Sequence, residues 1–134
     1  MTSQTFLDPV LGLLQRTREG LWLAEPKGLG PGIEFTIAGP EEGPAAECIE
    51  SAHQVVERFE RFRGDSRQAV LQHATALQLV ELAQSSGWEL IGVECLASAG
   101  TFQFVWVEQQ LDLSGWWEVR FGNHEVVEVQ RLVL

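Results

Sequence analysis

The spacing of apolar residues changes twice along this chain, and that change restricts what it can fold into. Before residue 45 and after residue 87 apolar and polar side chains alternate. Ile33, Phe35 and Ile37 share one face, as do Phe102, Phe104 and Trp106, and Trp117, Val119 and Phe121. Period two is the mark of a half-buried strand. Between these regions Ala45, Cys48, Ile49, Ala52, Val55, Val56, Phe59 and Phe62 recur at steps of three and four, the repeat of an amphipathic helix. Strands, then helices, then strands predict an α+β fold with an antiparallel sheet.

Punctuation residues refine this expectation. A short strand is expected around Val10–Leu14. Leu21–Ala24 and Ile33–Ile37 form a hairpin with a long, glycine- and proline-rich connection, and Gly39–Pro44 breaks the chain again. A first helix is expected over 45–62, stopped by Gly64. Asp65 or Ser66 caps a second helix over 66–85, and so short a connection makes the two antiparallel neighbours. Trp88–Leu96, Thr101–Gln109, a strand from Trp117, and Val126–Leu134 follow, with Leu111–Gly115 as a loop and Gly122-Asn123 as a hairpin turn. The expected order is β-β-α-α-β-β-β-β: about six strands with both helices on one face, in one domain over 1–134.

The 134 residues carry 9 basic and 19 acidic side chains, a net charge of −10. Such a balance opposes nucleic-acid binding and docking on anionic lipid. No basic leader opens the sequence and no apolar run approaches ~18 residues, so a cytoplasmic protein without membrane contact is expected. Cys48 and Cys95 fall in phase with apolar neighbours and read as buried thiols.

Catalytic patterns are weak. Glu50-x-x-His53, with Glu57 a turn further, is half of a di-iron motif, and no second half accompanies it. That helix face is nevertheless where a metal or small ligand would bind. Gly28, Gly30 and Gly32 precede a strand rather than a helix, and Pro31 removes a donor, so a hairpin connection suits them better than a phosphate cradle. No serine stands in a nucleophile elbow. No catalytic residue and no cofactor are expected.

What stands out is the surface. From Glu34 through Glu41, Glu42, Glu47 and Glu50 to Glu57 the chain carries no base, and the stretch from Glu81 to Glu118 carries none either. Clustered charge of one sign steers association with a partner of the other sign. There are five tryptophans and no tyrosine, and two of them, Trp116 and Trp117, are adjacent. Neighbours on a strand point to opposite faces, so one core cannot take both. An exposed tryptophan beside acids suits an interface anchor. The expected binding residues are Glu41, Glu42, Glu47, Glu50 and Glu57, with Trp116 or Trp117, and the expected partner is a protein with a basic surface. A homodimer through an edge strand or the tryptophan pair is a further possibility.

Asp8-Pro9-Val10-Leu11-Gly12, Trp22, the two helical segments and Gly100-Thr101-Phe102-Gln103-Phe104 together resemble an uncharacterised bacterial domain family. Its members share an Asp-Pro-x-x-Gly opening, a tryptophan-bearing strand, two helices and a C-terminal block of strands. Where that family has an Asp/Gly-rich segment with a histidine, this chain has Leu113-Ser114-Gly115-Trp116-Trp117. Some members are suspected toxin-immunity proteins, and the resemblance implies a small acidic inhibitor without catalysis.

Overall fold

The computed structural model describes residues 4–18, 20–30 and 32–133. Four strands come first: β1 (Thr5–Asp8), β2 (Gly12–Arg18), β3 (Leu21–Ala24) and β4 (Glu34–Ala38). Helices α1 (Ala46–Glu57), α2 (Phe59–Ala76) and α3 (Val80–Ala83) follow, and then β5 (Trp88–Cys95), β6 (Thr101–Glu108), β7 (Asp112–Gly122) and β8 (Glu125–Val133). The α+β class stands, with eight strands where about six were expected and three helices where two were. All eight form one sheet in chain order. Every neighbouring pair is antiparallel except β4 and β5, which run parallel, so the sheet is mixed. The helical segment between β4 and β5 is what permits this, because a parallel pair needs a long crossover.

The first expected strand is a hairpin. Val10 and Leu11 lie in its turn, and Gly12, at φ +81°, closes it. The connection at Glu25–Ile33 does join an antiparallel pair, as its turn chemistry implies. The last hairpin turns one residue later than expected: Gly122 pairs with Glu125, and Asn123 and His124 take the left-handed conformation. Two consecutive positive φ angles suit the twist of the flanking strands. β7 also begins earlier than expected, at Asp112, inside the segment assigned to a loop.

The helices differ most from expectation. The break falls at Arg58 (φ −124°, ψ 36°), and α2 runs straight through Gly64. Ser66 is therefore no cap. It lies buried within α2, where its hydroxyl donates to Arg63 O and accepts the Trp106 indole N–H at 2.9 Å. Phe59, Phe62, Ser66, Val70 and Ala74 continue the buried stripe at steps of three and four, and Gly64 is on the solvent side. α1 packs on β4, β5 and β6, and α2 on β6, β7 and β8. The two helices thus cover successive parts of the sheet instead of lying side by side as an antiparallel pair. Adjacent strands rotate by roughly 20–25°, and a bend at Arg58 lets the helical layer follow that twist.

The helices cover one face only. Phe62 meets Phe102 and Phe121 edge-on at 5.0 and 5.3 Å, and Phe102 stacks on Phe121 at 4.9 Å. Each core tryptophan also finds an acceptor: Trp22 donates to Pro40 O, Trp88 to Leu82 O, Trp106 to Ser66 and Trp117 to Asp112. A buried indole N–H without a partner is costly, so these bonds fix how each ring sits. Cys48 and Cys95 are both buried and free, and burial pushes the Cys95 thiol up to about 12. Among the described residues no helix is long and apolar enough to cross a membrane.

Candidate protein-binding surfaces

Alternation along β7 separates the two adjacent tryptophans. Trp117 points inward opposite Trp106 and Arg131 and is fully buried. Its indole N–H donates to Asp112 Oδ2 at 2.9 Å, and Trp88 meets it edge-on at 5.3 Å. Arg131 donates to both Asp112 oxygens, from Nη2 to Oδ1 at 2.8 Å and from Nε to Oδ2 at 3.2 Å, with its guanidinium 5.7 Å from the Trp117 ring. The Arg131 hydrogen bonds hold the Asp112 carboxyl below its ordinary range. Trp117 is therefore a core residue with no surface to offer a partner. Trp116 faces the other way, half-buried, opposite Leu132.

Trp116 lies on the sheet face that no helix covers. One row of this open face runs through Glu94, Gln103, Arg120 and Glu128; the next runs through Glu34, Gly92, Val105, Glu118 and Gln130. Gln103 donates to Glu94, and Arg120 pairs with Glu128. Among the described residues Glu118 has no basic partner. Partial burial pushes its carboxyl above the ordinary range and the nearby Glu94 carboxylate pushes it further, against a hydrogen bond from Trp116. Among the described side chains of this face Glu34, Glu89, Glu94, Glu118 and Glu128 face one arginine, Arg120, which is already engaged, and one lysine, Lys27, at its far margin near Glu34. Val105, Val107, Leu132 and Ile91 fill the spaces between. Toward β2–β4 the face dips into a groove of about 650 Å³ with Leu13 and Leu23 on its floor and Glu25, Lys27 and Glu34 around it.

The acids singled out from the sequence form a second surface. Glu41 and Glu42 sit in the loop before α1, and Glu47, Glu50 and Glu57 on its outer side; all are exposed. The buried side of α1, Cys48, Ser51, Ala52 and Val55, faces the sheet. These glutamates and Trp116 consequently lie on opposite sides of the molecule, and a single partner surface cannot cover both. His53 turns away from the half-motif it shares with Glu50 and Glu57. Its Nε2 lies 2.8 Å from Asp8 Oδ2 and 3.0 Å from Oδ1. Among the described residues no three histidine, cysteine, aspartate or glutamate side chains come together as metal ligands.

Glu94 and Glu118 went unselected in the sequence. The signal was available: Glu118 is two residues from Trp116 on an alternating strand, so both must share the face that Trp117, Val119 and Phe121 leave.

No family model, no curated protein and no solved structure matches this chain. The resemblance to suspected immunity proteins thus rests on its short motifs alone.

Proposed function

We propose that this chain is a non-catalytic protein-binding domain that docks a partner of basic surface on its open sheet face. The observation that carries this reading is the uncovered face, where Glu118 lies two residues from Trp116, half-buried and repelled by Glu94, and the one described arginine is held by Glu128. A carboxylate raised by partial burial and by a neighbouring acid, as Glu118 is, gains when a cation arrives. A half-buried indole two residues from Glu118 on the same strand face offers a guanidinium or ammonium both a π face and a carboxylate. Fixed negative charge over a broad surface also speeds encounter with a basic protein. An immunity-type inhibitor of a basic toxin is the specific form that fits both this chemistry and the family resemblance.

The test is capture from the native host by immobilised protein, at low and high salt. The wild type is compared with a Trp116→Ala/Glu118→Gln variant and with a Glu47→Gln/Glu50→Gln/Glu57→Gln variant. The proposal expects a captured protein whose yield falls with salt, is lost with the open-face variant and persists with the helix-face variant. Capture indifferent to salt, or lost only with the helix-face variant, refutes it.

A further inference from the structure

β8 borders the open face, and along Glu125–Val133 its outer edge has no paired strand among the described residues. Proteins usually protect such an edge by shortening it, breaking it with proline, charging it or covering it. The opposite edge, β1, is only 4 residues long, whereas β8 has 9 and no proline. Val127 and Val133 are more than half exposed. Of its three charged side chains, Glu128 and Arg131 are engaged by Arg120 and Asp112 within the sheet, and Glu125 stands exposed at the hairpin end.

α2 runs beside β8 without closing over it. Between them lie two consecutive hollows of about 520 and 380 Å³, which share Ala69, Gln72 and Val126. Small side chains on the helix, Ala69 and Ala76, keep the trough open, and Val126 and Val129 form its strand side. Its lining carries three acids, Asp65, Glu125 and Glu128, against one arginine, Arg61; Arg61 pairs with Asp65 and Arg120 with Glu128, and Glu125 has no basic partner among the described residues.

We propose that β8 and α2 form a docking groove for an extended segment of a basic partner, which joins the sheet as a further strand. Main-chain hydrogen bonds to β8 supply the common attraction, and alternate side chains divide between the two faces. One set enters the trough over Ala69 and Ala76. The other continues the open face beside Leu132 and Trp116, where lysine or arginine meets the glutamates. A second copy of this chain is the poorer occupant, because it would bring another net charge of −10 and its own Glu125 and Glu128 against the same acids. The inference rests on the reading of the chain as a binder of a basic partner and adds how that partner is held.

The test uses isotope-labelled protein and a capped peptide alternating lysine and valine, with the same peptide N-methylated throughout as a control of equal charge. The expected result is slowed amide exchange along Glu125–Val133 with the first peptide. Binding weakens by about tenfold or more with the second and with Ala76→Trp, which fills the trough from an exposed position; Gln72→Trp serves if the first variant fails to fold. Equal binding of both peptides with shifts confined to Glu94, Glu118 and Trp116 overturns the added strand and leaves the open-face reading intact. Binding of neither peptide also overturns it, and salt-sensitive capture from the host then judges the open-face reading separately. A concentration-dependent dimer that protects β8 without peptide makes the occupant a second copy and likewise overturns it.

Discussion

Asp8 and Glu108 close two different hairpin turns in the same way. Asp8 Oδ2 accepts the backbone N–H groups of Val10 and Leu11, at 2.9 and 2.8 Å. Glu108 accepts those of Gln110 and Leu111, at 2.7 and 2.6 Å. Both side chains are buried, and each takes one further partner from the helical side: His53 of α1 for Asp8, and Ser85 just beyond α3 for Glu108. Each carboxylate therefore shapes its own turn and ties that turn to the layer above the sheet.

Asp8→Ala leaves two backbone donors and His53 without their acceptor. It is expected to cost about 2–3 kcal/mol of stability in urea unfolding. His53→Ala removes a partly exposed partner that water replaces, and is expected to cost about 1 kcal/mol or less. Equal losses would mean that the turn does not depend on the carboxylate.

Acid should loosen the fold through two carboxylates. Burial alone would raise Asp8, but the N–H groups of Leu11 and Val10 and the His53 ring outweigh it, and its folded value is lowered. The Arg131 hydrogen bonds lower Asp112. A depressed folded pKa gives stability that is present above the unfolded value, near 3.9, and is lost as pH falls through the folded value. Melting temperature should accordingly fall below about pH 4, and Asp112→Asn should flatten that decline while lowering stability at neutral pH.

Glu118 should act with the opposite sign. A folded pKa raised by burial and by Glu94 costs stability as pH rises from the unfolded value through the folded one. Glu118→Gln is expected to raise the melting temperature at neutral pH, and carboxyl titration by NMR should place Glu118 above the ordinary glutamate range. A basic ligand on the open face should bring that titration back toward the ordinary range.

Gly64→Ala should stabilise the protein by about 0.5–1 kcal/mol. The position is helical and solvent-facing, and an added Cβ meets nothing within 4 Å. Gly115→Ala should do the reverse. A Cβ there would come within 2.8 Å of both Asp112 carboxylate oxygens, which Arg131 and Trp117 hold in place. Thermal melts of the two variants should move in opposite directions.

Alternation made the strands legible. Phe35 and Ile37, Phe102 to Trp106 and Trp117 to Phe121 all point into the core as their period requires. The parallel junction of β4 with β5 could not be read, because pairing direction depends on where the helices return the chain and not on either strand's own pattern. Gly64 misled for a related reason. A glycine costs a helix only about 1 kcal/mol, and burial of Phe62, Ser66 and Val70 on either side outweighs that. The break came at Arg58, where no glycine, proline or cap residue marks it in the sequence. For the site, exposure of the glutamates was legible one by one. Their separation from Trp116 by the whole thickness of the sheet is a tertiary fact.

The parallel contact between β4 and β5 bears on how fast the chain finds its structure. Each set of four strands is a meander whose pairings close short loops, and such local contacts cost little chain entropy. Only the junction of the two sets joins strands distant in the chain, with the helices spanning the gap. The slow event in folding should then be the docking of two preformed halves, paced by that one long closure.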